Sequence, residues 1–108
     1  MAEKTLDKDK VAHLEKIFQV PARLKIMSAL LARDSVDFTE LIELLELTRG
    51  NLSMHMKLLN ENKYVKITKK FVKNRPKTIY RITENGRSDF KTYISILEKI
   101  ITGLKESE

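Results

Sequence analysis

The side chains of this sequence that could do chemistry are mainly lysines and arginines, and their excess lies in one segment. From Thr48 to Ile82 there are ten basic residues, and Glu61 is the only acidic residue. This segment carries a net charge of +9, whereas the rest of the chain is net −3, within a total of +6. A phosphate-binding surface segregates its charges, while a solubilising surface mixes them. The segregation favours a nucleic-acid partner; the alternative is a lysine-rich solvated surface.

Residues suited to catalysis or metal binding are sparse. The chain has no cysteine and only three glycines, and its two histidines are His13 and His55. Thiol chemistry, thiolate metal sites and disulfides are therefore excluded, and neither a Ser/His/Asp arrangement nor a glycine-rich phosphate loop is present. The pattern predicts no enzymatic activity, no metal site and no cofactor.

The sequence contains no long uninterrupted run of apolar residues. No stretch approaches 18 apolar residues, and the opening MAEKTLDKDK has no apolar signal region. We therefore expect a cytoplasmic protein without a membrane partner.

The positively charged segment must be positioned by helices on its N-terminal side. Apolar residues recur at helical spacing over Asp7–Phe18 and again after Pro21, which suits the first turn of a second helix. A short β-capable piece at Ser35–Phe38 precedes a third helix ending near Glu46, and a fourth helix runs from Thr48 to about Asn62. The third helix could be capped by Asp37 or Thr39, and Thr48 is the expected N-cap of the fourth.

From Tyr64 the apolar period changes from 3.6 to 2. The runs YVKITKKFV and TIYRIT, joined by the polar connection KNRPK, predict a β-hairpin. After a break at Thr83–Gly86, a final helix covers Arg87–Leu104. The expected fold class is mainly α with a small β-hairpin (α+β), a winged helix-turn-helix with a long C-terminal dimerisation helix. We expect one domain over residues 1–108, with a core at 19–86 and dimerisation helices at 5–18 and 87–104.

The fourth helix is the candidate recognition helix, because the second helix of a helix-turn-helix can enter the major groove of DNA. Arginine can bond guanine, asparagine can bond adenine, and a methionine can touch the thymine methyl group. The alternative is an ordinary solvated helix face. The residues predicted to contact DNA from this helix are Thr48, Arg49, Gly50, Asn51, Ser53, Met54 and Lys57.

The hairpin is the candidate wing, which would lie along the DNA backbone or in the minor groove. Its expected stiff connection carries three cations in five residues, with Pro76 removing a donor. The alternative is a charged hairpin that merely avoids edge-to-edge aggregation. The residues predicted to contact DNA from the wing are Lys70, Lys73, Asn74, Arg75, Lys77 and Arg81.

The final helix has a heptad pattern, which favours a partner helix from a second subunit. Packing against the first helix of the same chain is the alternative, and both can hold together. The predicted dimer interface consists of Val11, Leu14, Phe18, Phe90, Tyr93, Ile94, Leu97, Ile101 and Leu104.

The stretch TELIELLELTRGNLSMHMKLLNENKYVKI, followed by KNRPKTIYRITENGR, resembles the ArsR/MarR-type winged-helix transcriptional regulators. The resemblance covers roughly Pro21 to Leu104. It implies a recognition segment at Arg49–Lys57, a wing at Lys73–Lys77, and a dimer interface made by the first and last helices. Metal-sensing members carry cysteines in the third helix, whereas ELIELLEL has none. A small-molecule effector stays open.

These observations predict a sequence-specific transcriptional regulator that binds double-stranded DNA as a homodimer, at an inverted-repeat operator. A winged helix that docks on protein within a transcription complex is one alternative. Sequence-independent binding to DNA or RNA is another, although the aromatic residues are expected mostly at core positions rather than as a stacking platform.

Overall fold

The computed structural model describes residues 8–106, which form five helices and one three-stranded antiparallel sheet. The helices are α1 (Lys8–Phe18), α2 (Pro21–Ala32), α3 (Phe38–Leu45), α4 (Arg49–Glu61) and α5 (Glu84–Glu106). The strands are β1 (Ser35–Asp37), β2 (Val65–Val72) and β3 (Arg75–Ile82). The predicted fold class, mainly α with a small β-hairpin and a winged helix-turn-helix, is confirmed, whereas the dimerisation role of the last helix stays a prediction. The expected helix start at Asp7, the segment 5–7 and residues 107–108 lie outside the described residues.

The helix-turn-helix is built by local capping. Asp37, one of the two candidates, caps α3 through a capping box in which its carboxylate accepts from the Glu40 N–H at 2.8 Å. Glu46 ends α3 in the left-handed region, with φ 56°. Thr48 then caps α4 as predicted, because its Oγ1 accepts from the Asn51 N–H at 3.1 Å. The turn between the two helices is therefore short and well defined.

The sheet has the order β1-β3-β2, with β3 in the middle. The predicted polar connection KNRPK is wrong, because only Lys73 and Asn74 form the turn, with φ 53° and 64°. Two positive φ values suit the right-handed twist of a tight hairpin. Arg75 and Pro76 already belong to β3, and Pro76 is tolerated because β1 pairs only with residues 79–81, which leaves that edge of β3 free.

The final helix begins at Glu84, so the predicted break at Thr83–Gly86 is wrong. Thr83 caps the helix, with its Oγ1 accepting from the Gly86 N–H at 2.8 Å. Gly86 packs against the backbone carbonyl of Tyr64, and a Cβ added to Gly86 would clash with that oxygen. This contact locks the start of α5 onto the start of β2.

The buried core draws on all five helices and the sheet, and its aromatic cluster lies where α1 packs against the first half of α5. Phe18 is fully buried, and its ring centroid lies 5.1 Å from that of Tyr64, 5.3 Å from Phe90 and 5.7 Å from Tyr93. Leu14 is also fully buried. Four residues of the predicted dimer interface, Leu14, Phe18, Phe90 and Tyr93, are thus core residues of the chain itself. We correct that assignment, because their side chains keep almost no surface for a second subunit.

A buried carboxylate fixes this packing. Asp89 on α5 accepts hydrogen bonds from the Tyr64 hydroxyl at 2.9 Å and from the Lys10 ammonium at 2.8 Å. Burial, together with the hydrogen bond to Asp89, raises the pKa of Tyr64 above its ordinary value. One polar network at the edge of the apolar cluster therefore joins α1, the residue before β2, and α5.

Within residues 8–106, none of the helices has the length and apolar character of a membrane span. The same described residues contain no group of three or more histidine or carboxylate side chains placed to hold a metal ion.

Candidate nucleic-acid interface

The structure places the outward face of α4 as the apolar spacing predicted. Leu52, Met56 and Leu59 are buried, so the opposite side of the helix faces solvent. Met54 on that side is 58% exposed, which is unusual for a large apolar side chain on a solvated face. All seven residues predicted to contact DNA from this helix are exposed: Thr48, Arg49, Gly50, Asn51, Ser53, Met54 and Lys57.

The first turn of α4 offers backbone donors. The Asn51 N–H is bound by the Thr48 hydroxyl, and the Leu52 N–H donates to the Thr48 carbonyl at 3.0 Å. The N–H groups of Arg49 and Gly50, at the first two helical positions, have no acceptor within the helix itself. A Cβ added to Gly50 would meet nothing within 4 Å, so an anion could approach this backbone closely.

Arg49 is held by an aromatic ring. Its Cζ lies 4.9 Å from the centroid of the Phe38 ring, in a cation–π contact. Phe38 is itself fixed by Tyr80, with ring centroids 6.3 Å apart. Phe38 was not among the residues predicted from the sequence; its place directly after the cap of α3, one short helix before the recognition helix, was the available signal.

A groove separates α4 from the sheet. Ser53, Lys57 and Asn60 line it from the helix, while Lys69 and Thr78 line it from β2 and β3. Asn60 also donates from Nδ2 to the Val65 carbonyl at 3.0 Å, which ties the end of α4 to β2. Neither Asn60 nor Lys69 was among the predicted contact residues.

A second hollow adjoins this groove and runs along the free edge of β3. Arg49 lines it from α4, and Lys73, Arg75 and Lys77 line it from the hairpin. Phe38 and Thr78 line both the groove and the hollow. The outward face of α4 and the hairpin tip therefore lie on the same side of the molecule, with their cations around one continuous concave surface.

One of the predicted wing cations is already paired. The Lys77 ammonium lies 3.5 Å from the Asp37 carboxylate, whose side chain is only 15% exposed. This ion pair ties the hairpin to the start of α3. Lys77 therefore adds less net positive charge to the concave surface than Lys73 or Arg75.

The structure does not bring Arg81 to the concave surface. Arg81 follows the buried Tyr80, and successive strand residues point to opposite faces. Its side chain therefore lies on the outer face of the sheet, directly across from Lys66. Lys70 is four residues along β2 from Lys66 and therefore lies on the same outer face. Lys66, Lys70 and Arg81 therefore form a second basic surface, on the outer face of the sheet and apart from the concave surface.

His55 lies toward the inner side of α4, beside the buried Met56, and is partly buried. Its Nδ1 is buried and has no hydrogen-bond partner among the described residues. Burial, with the nearby positive charge of Arg23, lowers the pKa of His55. The neutral ring is therefore the favoured form in the folded chain.

The C-terminal half of α5 keeps an apolar stripe on the surface. Ile101 and Leu104 are 58% and 66% exposed, while Val11, Ile94 and Leu97 are partly buried. These five residues, four on α5 and Val11 on α1, are here called the α5 seam. They are the part of the predicted dimer interface that is not buried in the core.

The winged helix DNA-binding domain family matches residues 22–101 of the chain. An uncharacterized protein of Methanocaldococcus jannaschii is 44% identical over 79 residues, which cover 73% of this chain and 86% of that protein.

Solved structures give the same likeness. A transcriptional regulator homologue from Pyrococcus horikoshii has 36% identity and a TM-score of 0.79, over 89% of this chain and 97% of that chain. A structure described as a transcriptional regulator of the MarR family, from Enterococcus faecalis, has a TM-score of 0.78 over 99% of this chain and 97% of that chain. At 17% identity, this second likeness concerns the fold alone.

Proposed function

The chain belongs to the winged helix DNA-binding domain family, and from this premise we propose that it is a transcriptional regulator that reads double-stranded DNA as a homodimer. In this proposal α4 enters the major groove and the β2–β3 hairpin, the wing, follows the adjacent backbone. The target is an inverted repeat, because a symmetric dimer presents its two recognition helices around a two-fold axis.

The observation that carries the proposal is the shared concave surface between α4 and the wing. Arg49 from the helix and Arg75 from the wing line one hollow, and Lys57 lines the groove beside it. Cations from two elements that are distant in sequence thus converge on one side of the chain. A duplex is a rod with phosphates on two strands, so it can contact both elements at once.

Base reading is assigned to the first two turns of α4. Arg49 can form a two-point hydrogen bond with guanine, and Asn51 can do the same with adenine. Met54 can contact a thymine methyl group, and the exposed N–H groups beside Gly50 suit a phosphate. Lys57 lies further along the exposed face and reaches either a base edge or the backbone.

Backbone binding is assigned to the wing tip. Lys73 and Arg75 flank the tight turn and are exposed. Their contacts add affinity without sequence information, because phosphates are the same at every step. Asn74, in the turn, is kept as a weaker member of this surface, whereas Lys70 lies on the outer face of the sheet.

The homodimer is assigned to the α5 seam. Ile101 and Leu104 lie on one side of a helix of 23 residues, whose first half is occupied by α1 and whose second half remains open. A second copy of the seam would remove these apolar side chains from water.

The proposal is tested by selecting duplexes from a random pool and then measuring affinity at several salt concentrations. We expect an enriched inverted repeat with half-sites about 34–36 Å apart. The logarithm of the affinity should fall with the logarithm of the salt concentration, with a slope of about 0.9 per neutralised phosphate.

Two variants separate the helix from the wing. Lys57→Ala should change the base preference, whereas Lys73→Ala should weaken binding to all duplexes alike and lower the salt slope by about one contact. Loss of affinity in both variants with no change in preference would contradict the assignment of α4.

Sequence-independent binding is the second candidate, and the outer face of the sheet favours it. Lys66, Lys70 and Arg81 form a basic surface that does not face α4. Equal affinity for selected and scrambled duplexes, with a reduced salt slope in Lys66→Ala, would favour this function. No duplex binding at low salt would instead point to an acidic protein partner.

A further inference from the structure

Phe71 is the most exposed large apolar side chain in the described part of the chain, at 74%. It sits in β2 opposite Pro76, one residue pair away from the turn pair Val72 and Arg75. The alternating sequence pattern predicts an inward side chain at this position, since Phe71 has the same phase as the core residue Val65. The hairpin, however, extends beyond the body of the chain, so that no core lies beneath this position.

The ring leaves the hairpin on the side of α4. Strand residues two apart share a face, so Phe71 lies on the same face as Lys69 and Ile67. Both of those residues line the groove against Ser53 of α4. The apolar ring and the recognition helix are therefore presented to the same partner.

The surroundings of Phe71 select the class of partner. Lys69 lies two residues before it on the same face of β2, and Lys73 follows two residues later in the turn. An aromatic ring within a group of cations suits a polyanion that also has stackable apolar surfaces. Duplex DNA has both, in its phosphates and its base pairs.

The reach of the hairpin suits a position beyond the major groove. Ile67, which packs against the core, and Val72 at the turn are five positions apart along β2. At about 3.3 Å per residue this part of the hairpin projects ~16 Å. That exceeds the major-groove width of about 12 Å, so the tip can pass the phosphate backbone and meet the neighbouring minor groove.

We propose that Phe71 is an apolar wedge that enters the minor groove and inserts at a base step, bending the duplex. This inference rests on the proposed function and assigns a specificity role to its wing. The ring has no hydrogen-bonding group, so it cannot read base edges. It selects instead for steps that unstack easily, such as TA and CA/TG.

The test uses 30-base-pair duplexes with fluorescent donor and acceptor dyes at their ends and 2-aminopurine beside a TA step. The step is moved along the sequence from one duplex to the next. Wild-type protein should bring the ends closer, by a bend of about 20–90°, and should raise 2-aminopurine fluorescence at one position of the step. Replacing that TA step by GC should reduce the bend.

Phe71→Ala should lose both signals while keeping the salt slope, because no charge is removed. Phe71→Leu, which keeps an apolar wedge, should retain part of the bend. Val72→Ala is the matched control: it truncates the neighbouring, 37% exposed residue on the other face of the same strand and should keep both signals. Denaturation of all variants checks that the hairpin remains folded.

Three outcomes overturn the wedge. One is wild-type binding without bending or unstacking, and another is a full bend in Phe71→Ala. A third is a fall in the molecular mass of the free protein in Phe71→Ala, which would make the ring a contact between protein copies. In all three the proposed function survives if Lys57→Ala still changes base preference. If wild-type protein binds no duplex at low salt, both proposals fail.

Discussion

Phe38 and Arg49 form a cation–π pair, with the Arg49 Cζ 4.9 Å from the ring centroid, that joins the start of α3 to the start of α4. The ring restricts a side chain that would otherwise be free in solvent. It therefore holds the guanidinium at the edge of the concave surface before any partner arrives, which lowers the entropy lost on binding.

Phe38→Leu should weaken duplex binding by about two- to fivefold. The expected cause is loss of a cation–π contact worth roughly 0.5–1 kcal/mol at an exposed site. Leucine keeps apolar contact with Tyr80, so Phe38→Leu should lower the free energy of unfolding by less than Phe38→Ala does. Affinity is measured by fluorescence anisotropy with a labelled duplex.

Arg49→Ala provides the control for this pair. If the ring acts through the guanidinium, adding Phe38→Leu to Arg49→Ala should cause no further loss of affinity. Additive losses in the double variant would mean that Phe38 acts on binding by another route.

Gly50→Ala should separate stability from binding. A Cβ at this position meets nothing within 4 Å, and alanine favours a helix over glycine by about 0.5–1 kcal/mol. The free energy of unfolding should therefore rise. Duplex binding should weaken by about tenfold, because the added methyl group keeps a phosphate from the backbone N–H groups of this turn.

Gly103→Ala on α5 is the matched control for this substitution. A Cβ there also meets nothing within 4 Å. It should give a similar gain in stability, measured by urea denaturation, with unchanged duplex affinity. Unchanged affinity in Gly50→Ala as well would mean that DNA does not approach α4 at its first turn.

Ile101→Glu should dissociate the proposed homodimer. The side chain is 58% exposed in the single chain, so the substitution costs little in folding, but a carboxylate buried between two seams would be unpaired. We expect dimerisation to weaken by about thirtyfold or more, corresponding to ~2 kcal/mol. Sedimentation equilibrium measures the shift.

Thr102→Glu introduces the same charge one residue away. Successive helix residues are rotated by about 100°, so the side chain at position 102 points away from the α5 seam. The variant should therefore keep the association state of the wild type. If wild-type protein is monomeric at every concentration tested, or if both variants behave alike, the seam is not the interface.

The stability of the chain should fall as the pH drops below about 6.5, the ordinary pKa of histidine. Burial and the charge of Arg23 lower the pKa of His55 in the folded chain, so the unfolded chain takes up the proton first. The contribution of His55 is therefore complete above the unfolded pKa and is lost as the pH falls toward the lower, folded value. Urea denaturation between pH 5 and pH 8 measures this dependence.

His55→Leu should reduce the dependence of the free energy of unfolding on pH between pH 5 and pH 8, because the titrating group with the lowered pKa is removed. His13→Gln should keep the loss of stability on the acid side, since His55 is unchanged. If the free energy of unfolding depends on pH in the same way in His55→Leu and in the wild type, other groups cause the dependence.

The sequence by itself determined the features that depend on neighbouring residues. The cap at Thr48, the proline at the start of α2 and the change of apolar period at Tyr64 each act within a few positions of the chain. The outward residues of α4 followed from the same local rule, because a buried stripe at Leu52 and Met56 defines the opposite face. Charge segregation likewise needed only composition along the chain.

Only the tertiary structure decided what covers each apolar face and which distant residues meet. Periodicity marked Phe18, Phe90 and Tyr93 as apolar stripe residues, but the crossing of α1 over α5 made them core rather than interface. The contact of Phe38 with Arg49, the outward position of Arg81 and the exposure of Phe71 also depend on how packed elements lie in space. A spacing pattern specifies the direction of a side chain around its own element, whereas its neighbour is set by the packing of the whole chain.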